Sequence, residues 1–333
     1  MAERDAEIAG FLAGHGWAGA TRRPLKGDAS FRRYERVFAG DCRAVLMDAP
    51  PAHEDVRPFV AVARHLTGRG FSAPAILASD EEAGLLLLED LGDDLFTRLL
   101  AQGSDEMSLY EAAVDLLVAL HRVSPDALDV PPYDDARLHA EADLLVNWFV
   151  PAVSGAPAPA PVRAAYTDAW DAVFPLARSG PKTLVLRDYH ADNLLWLPGR
   201  DGVRRVGLLD FQDAVVGPAA YDLVSLLEDA RRDVAEATVA AMIARYLAGR
   251  REIDRDAFAA AYAVLGAQRN AKIVGIFTRL WKRDGKPLYL DYLPRVWGHL
   301  ERDLAHPALS PVRGWFDAHV PPAWRGRPAG LGP

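Results

Sequence analysis

The sequence predicts an α+β chain in which a small antiparallel sheet near the N terminus precedes a mainly α-helical body. Three observations predict it. Short β-compatible runs separated by turn signals fill the first ninety residues, the apolar period becomes helical from Leu95 onward, and one β-rich island between Thr183 and Leu209 interrupts the helical half. With 333 residues, half of them hydrophobic, the chain can bury one large core or two without covalent staples.

Phe31 to Phe38 and Arg43 to Asp48 read as strands joined by a turn at Ala39-Gly40-Asp41, and Pro50-Pro51 stops the second. A single helix is expected to interrupt this block, from Asp55 to Thr67. Val56, Phe59, Val60, Ala63 and Leu66 recur there at helical spacing, and Gly68 and Gly70 follow. Ala75 to Ser79 and Leu85 to Glu89 are two further strands joined by the polar turn Asp80 to Gly84, and Asp90 to Asp94 reads as a crossing between lobes. In the helical half, Leu109 to Val123 is clearest because Leu109, Ala113, Leu116, Leu117 and Leu120 share one face. The Pro/Ala stretch from Pro151 to Pro161 is expected as a loop between helices, since prolines remove donors and resist helix continuation. The tail from Pro321 to Pro333 is expected to fray.

Composition narrows the function classes. Lys and Arg number 38 against 46 Asp and Glu, a net charge of −8, so the overall field favours neither nucleic acid nor an anionic membrane. Cys42 is the single cysteine, which excludes an internal disulfide and a cysteine-cluster zinc site and suits a reducing compartment. The acidic start is unlike a signal peptide, and no apolar run approaches the ~20 residues that span a bilayer. A cytoplasmic protein is expected.

The chemistry concentrates in the island. Leu194 to Leu197 and Val203 to Leu209 flank Pro198 to Gly202 and read as an antiparallel hairpin. Hairpin strands lie ~4.8 Å apart, so the open end brings Asn193 and Asp210 side by side. One amide and one carboxylate oxygen suit Mg²⁺, which fills its other positions with water and substrate phosphates. Asp188 stands five residues before Asn193, where a carboxylate can accept a hydrogen bond from a substrate hydroxyl and orient it for in-line attack on a phosphoryl group. Asp192 and Asp213 read equally well as turn formers or caps. His190 could touch substrate or metal, but no second histidine stands at ligand spacing, so loop stabilisation is its default role.

These residues resemble the aminoglycoside phosphotransferase and choline kinase branch of the protein-kinase-like superfamily, along nearly the whole chain. The likeness includes Asp188 to Asn193, Asp210 to Asp213, Leu85 to Gly92, Ala119 to Val123 and Gly217 to Leu223. Gly27 to Tyr34, Met47 to Pro51, Arg187 to His190, Gln268 to Arg279 and Arg283 to Pro287 look like the anomeric sugar kinases that phosphorylate N-acetylmuramate and N-acetylglucosamine at C1 in bacterial cell-wall recycling. The resemblance implies a bilobal fold, with residues 1–90 a nucleotide-covering sheet lobe and 91–333 a helical lobe carrying the catalytic loop, metal site and sugar-binding helices. It implies ATP and Mg²⁺, with Asp188 as base and Asn193 and Asp210 as metal ligands. Asp222 would tie a helix start to the catalytic loop, although an acid near a helix N-terminus is stabilising by itself.

Nucleotide contacts follow from the same resemblance. Gly27, Ser30, Arg32 and Arg33 sit where the family covers the phosphates, and Arg32 and Arg33 would face opposite ways in an extended segment. Adenine would lie against the backbone between Leu88 and Leu91, including Glu89. The sequence departs from the kinase pattern at the third strand, where Met47 or Asp48 stands in place of a phosphate-pairing lysine. Either an arginine of the Gly27 loop takes over, or nucleotide binding is weak. Glu54 is a candidate for the matching glutamate.

A pyranose acceptor needs apolar surfaces for its C–H faces and polar groups for its hydroxyls. Asn147, Trp148, Phe149, Gln268, Arg269, Lys272, Arg279 and Trp281 are candidates, with His190 on the loop. Trp148 and Phe149 read at least as well as core. Two rivals stand beside the sugar kinase. An aminoglycoside or choline kinase would want acids or an aromatic cage, whereas Gln268 to Lys286 carries Arg269, Lys272, Arg279, Lys282, Arg283 and Lys286 against Asp284 alone. A nucleotide-binding pseudokinase is suggested by the missing lysine and opposed by the Asp188, Asn193, Asp210 set. A monomer is expected.

Overall fold

The computed structural model of the chain describes residues 2–25, 31–125 and 128–327. In chain order its elements are α1 (Ala2–Gly14), β1 (Thr21–Pro24), β2 (Arg33–Ala39), β3 (Cys42–Asp48), α2 (Arg57–Gly68), β4 (Ile76–Asp80), β5 (Leu85–Glu89), α3 (Phe96–Ala101), α4 (Glu106–Leu120), α5 (Asp135–Leu144), α6 (Val150–Ser154), α7 (Ala160–Asp171) and α8 (Phe174–Ala177). There follow β6 (Lys182–Val185), β7 (Leu194–Trp196), β8 (Val206–Leu208), β9 (Val215–Pro218), α9 (Ala220–Leu227), α10 (Glu236–Gly249), α11 (Arg255–Asp284), α12 (Leu293–Leu304) and α13 (Ser310–His319). The class is α+β. The residues group into two compact units, Met1–Leu116 with Asp192–Ala214, and Leu117–Ala191 with Val215–Pro333.

The first unit is built on a five-stranded antiparallel sheet of order β1-β2-β3-β5-β4. β2 and β3 turn through Gly40 and Asp41, because Ala39 pairs with Cys42 and Gly40 takes φ 59° without the cost of a Cβ. One sheet face is covered by α1, whose Ile8, Phe11 and Leu12 pack with Val37, Ala44, Leu46, Leu85 and Leu87. This helix was not expected, and neither was β1. α2 begins two residues later than expected and buries Phe59, Val60, Val62, Ala63 and Leu66. Because α1 covers only one face of the sheet, the burial of all four of Leu85, Leu86, Leu87 and Leu88 means that both faces of β5 are covered.

The β7–β8 hairpin belongs to this unit. Its strands are shorter than expected, because residues Gly202–Arg205 form a 3₁₀ turn and do not extend β8. Ser72 bridges to Gly207, its hydroxyl donates to the Arg204 carbonyl at 2.6 Å, and Leu208 N donates to Ser72 O at 2.9 Å. Gly207 suits this packing, since a Cβ there would meet Leu195 Cβ at 3.0 Å, a contact tight enough that the neighbours would have to give way.

The second unit is helical apart from the β6–β9 ribbon, which pairs Lys182 with Pro218 through Val185 with Val215. The 30-residue α11 is its axis, started by the Asp254 side chain accepting from Ala257 N at 2.8 Å and ended by Gly285 at φ 64°. The Pro/Ala stretch is only partly a loop. Val150–Ser154 continues the helical run of α5 through the π-helical turn Leu145–Phe149, and α7 starts at Ala160.

Candidate active site

In the second unit the chain leaves β6 through Leu186, Arg187 and Asp188. The backbone N–H groups of Leu186 and Arg187 donate to the two oxygens of the buried Asp222 carboxylate on α9, at 2.7 and 2.8 Å. A carboxylate accepting two amides is a strong tether. Arg187 takes φ 71°, a conformation costing a non-glycine residue about 1–3 kcal/mol. It is held there by that tether and by an ion pair between its guanidinium and Glu141 of α5. Beyond it, Asp188 N donates to Leu186 O at 2.9 Å and His190 N to Asp188 O at 3.1 Å. Asp188 is partly exposed on a loop whose backbone is pinned on its N-terminal side.

Glu141 organises a buried cluster. It pairs with Lys272 Nζ at 3.1 Å, accepts from the Tyr133 hydroxyl at 2.5 Å, and accepts from Gln268 Nε2 at 3.3 Å. Burial works to raise its carboxyl, but Lys272 and Arg187 outweigh it and bring the pKa down to about 2. Burial likewise opposes the Lys272 ammonium, yet Tyr221 and Glu141 raise its pKa, with Asp188 adding to the rise. His121 lies 4.0 Å from Asp222 and its Nδ1 is 2.8 Å from the Tyr246 hydroxyl; burial lowers its pKa against the opposing pull of Asp222.

In the first unit a 3₁₀ turn, Ala191–Asn193, leads into β7. Leu209 N donates to Asn193 O at 3.0 Å, which carries the hairpin ladder past Leu194–Leu208 and sets Asn193 beside the residue preceding Asp210. Asp210 then turns out of the strand at φ 55° and is exposed, while Phe211 is buried against Phe59 with ring centroids 4.9 Å apart. Gln212 Nε2 donates to Asp210 Oδ1 at 3.1 Å. An amide and a carboxylate at one hairpin end are oxygen donors of the kind Mg²⁺ takes. Asp192, by contrast, accepts from the Thr97 hydroxyl.

Other candidates fall in varied places. Gly27 and Ser30 lie outside the described residues. Arg32 is mostly buried and Arg33 exposed, as alternation along an extended segment requires. Glu89 donates its N–H to Ala75 O at 2.8 Å and pairs its carboxylate with Arg200; Leu91 packs its side chain near Gly207. Asn147 is exposed and Trp148 half-buried on the π-helical turn Leu145–Phe149, whereas Phe149 is buried against Trp297. Gln268 and Arg269 are inside the helical core: Gln268 has no exposure and also donates to Leu138 O at 3.1 Å, and Arg269 donates to Glu228 O at 3.3 Å. Arg279 is half-buried, with burial and then Arg283 lowering its pKa. His190 is buried with Arg231 Nη1 3.5 Å from its Nε2, and burial lowers its pKa. No group of three or more His, Cys, Asp and Glu side chains is gathered as a metal site among the described residues.

A sequence model of the phosphotransferase enzyme family, APH, matches residues 21–259, a span that includes Asp188, Asn193 and Asp210. The chain belongs to this family. Among curated relatives of this phosphotransferase, the N-acetylmuramate/N-acetylglucosamine kinase of Caulobacter vibrioides is 42% identical, over 96% of this chain and 97% of that one. The protein of the same description from Pseudomonas aeruginosa is 38% identical over 85% and 83%. Among solved structures, the choline kinase of Streptococcus pneumoniae aligns with TM-score 0.62 at 12% identity, over 92% of this chain and 99% of that one. Wild-type aminoglycoside 2′-phosphotransferase-IIIa in its GDP complex aligns with TM-score 0.58 at 14% identity, over 91% and 98%. These two establish the protein-kinase-like fold of the phosphotransferase.

Residue-by-residue reading of the phosphotransferase sequence missed Glu141, which no local pattern marks. Its partners lie 46 positions away at Arg187 and 131 away at Lys272, and only the fold brings them together. Arg187 itself could have been found from its place directly before Asp188.

Proposed function

We propose that this phosphotransferase is an ATP-dependent kinase for the anomeric C1 hydroxyl of N-acetylmuramate, N-acetylglucosamine or both, acting as a cytoplasmic monomer in peptidoglycan recycling. The observation that carries this reading is that relatives bearing that description are 35–42% identical over most of the chain. A carboxylate on a loop tethered by Asp222, suited to accept a hydroxyl proton, supports direct transfer without a covalent enzyme intermediate.

In this reading Asp188 accepts the proton of the sugar O1–H as the O1–Pγ bond forms and the Pγ–O bond to ADP breaks. The Asp222 tether and the Arg187–Glu141 pair hold the Asp188 backbone so that its carboxylate meets the hydroxyl without reorganisation. Asn193 and Asp210 would hold Mg²⁺, which when bound supplies neutralising charge to the phosphates. The backbone of Glu89 and Leu91 would border adenine. Asn147, Trp148, His190 and Arg279 remain on the acceptor side, where a cation suits the lactyl carboxylate of N-acetylmuramate. Gln268, which donates to Glu141, and Arg269, which donates to Glu228, act as buried supports and not as acceptor contacts. No helix among the described residues is long and apolar enough to cross a membrane, which is compatible with the proposed location.

The test offers ATP-Mg with free amino sugars, choline and aminoglycosides, and follows the product by phosphorus NMR. An acid-labile glycosyl phosphate is expected. Turnover confined to the amines overturns the reading. The Asp188→Asn variant should keep nucleotide affinity within about twofold and lose roughly 10²–10⁴ in turnover; undiminished turnover removes Asp188 from the role of base.

A further inference from the structure

The place of the missing lysine is closed in the structure. Met47 on β3 is fully buried, and Asp48 is 4% exposed with its Oδ1 taken by Arg4 of α1, whose Nε and Nη2 donate at 3.0 and 2.7 Å. Neither can reach a nucleotide. One position before β2, in the same unit, Arg32 points inward with its side chain 13% exposed. Its Nη2 lies 3.5 Å from Asp210 Oδ1 and its Nε 4.0 Å from Glu54 Oε2, two residues before the cap of α2. Tyr34, two positions on and pointing to the same side, lies beside it: burial raises the pKa of its phenol, and the neighbouring Arg32 charge works against that rise.

We propose that Arg32 is the nucleotide-phosphate cation of this enzyme, positioned by Glu54 and Tyr34, in place of a third-strand lysine. The inference deepens the kinase reading and rests on it. Three features carry it. The guanidinium faces the Glu54 carboxylate on one side, at 4.0 Å, and adjoins, on the other, the carboxylate proposed to hold the metal. Asp210 is exposed, so the space next to the Arg32–Asp210 contact is open to a ligand. A guanidinium presents several donors in a fixed fork, so one edge can stay on Glu54 while another engages phosphate oxygens, which a lysine ammonium cannot do with the same geometry. Glu54 and Tyr34 are positioning residues; Arg32 touches the substrate.

The test measures direct binding of ATP-Mg, ADP-Mg and adenosine to the full chain by calorimetry, alongside turnover. Arg32→Ala should weaken ATP and ADP by roughly tenfold to a hundredfold, as expected for lost charge-assisted hydrogen bonds, and leave adenosine within about twofold. Arg32→Lys should recover part of the loss. Glu54→Gln should lower turnover severalfold with a smaller change in ATP affinity. Arg57→Ala, on an exposed pair with Asp55, should change none of these. Melting without ligand identifies a variant that fails to fold, in which case Arg32→Lys and Arg32→Gln decide. Unchanged ATP and ADP affinity in a folded Arg32 variant overturns the proposal, and so does an equal loss for adenosine, which would mark a structural role. If the wild type binds ATP but phosphorylates no sugar, the acceptor reading fails while the Arg32 result still stands.

Discussion

Glu141 joins the Asp188 loop to α11, and its energetics follow from its burial and its charged partners. A carboxylate buried between Arg187 and Lys272 is ionised down to a pKa of about 2, against an ordinary 4.5. The folded state therefore binds fewer protons than the unfolded state between those values. The stabilisation is fully present above pH 4.5 and is lost as pH falls through about 2. The size is about 3 kcal/mol by the usual conversion of pKa to free energy. Glu141→Gln should lower urea-unfolding stability at pH 7 by that order and flatten the acid limb between pH 4.5 and 2 relative to the wild type. Parallel acid limbs in the two proteins would remove Glu141 from this role. Because Arg187 holds its left-handed backbone partly through Glu141, the variant should also lose turnover more than nucleotide affinity.

Elements differ in how openly the sequence declares them. The β2–β3 hairpin and α2 are legible because a two-residue turn and a helical apolar stripe are local signals, and both fall within about two residues of expectation. β1 is a polar edge strand with little burial, so it has no apolar alternation to read. α1 does carry Ile8, Phe11 and Leu12 at helical spacing, but three apolar residues among acids, alanines and glycines make a faint stripe. The placement of Asn193 and Asp210 at one end of the hairpin was legible, while the Arg187–Glu141–Lys272 cluster was not, since it depends on packing across α5 and α11. A second illegible feature joins α9, α11 and α12. Glu228 and Asp303 are buried together, with Asn270 Nδ2 donating to both at 2.7 and 3.0 Å. Burial raises both pKa values, and for Asp303 the neighbouring Glu228 adds to it. The folded state thus holds a proton that the unfolded state has released, so stability falls as pH rises from the ordinary carboxylate range toward the folded pKa. Asp303→Asn mimics the protonated form. It should keep near-wild-type stability near the ordinary Asp pKa of 3.8 and show a shallower decline as pH rises above it in thermal melts; a decline as steep as the wild type's would place the proton elsewhere.

At the scale of the whole molecule, the chain passes from the first unit to the second, back for residues Asp192–Ala214, and out again. The returning segment supplies structure that the N-terminal segment cannot provide for itself. Phe211 stacks on Phe59, Leu195 bridges to Leu95, Arg200 pairs with Glu89, and Ser72 bonds to Arg204 and Leu208 on the β8 side of the hairpin. A boundary at residue 90 or 116 therefore cuts the first unit away from a part of its own core. The cost is set by burial: Phe59 and Phe211 are 5% and 0% exposed, and uncovering an aromatic side chain of this kind forfeits about 1.5–3 kcal/mol. Together with the lost backbone bonds of Ser72, this is comparable with the whole stability of a small domain. A fragment of residues 1–116 should then show no cooperative thermal transition and should bind a hydrophobic dye, whereas the full chain melts cooperatively. Adding residues 192–214 back as a separate peptide should reduce dye binding. A sharp, dye-free transition in the 1–116 fragment alone would show that the hairpin is an attachment and not a member of that core.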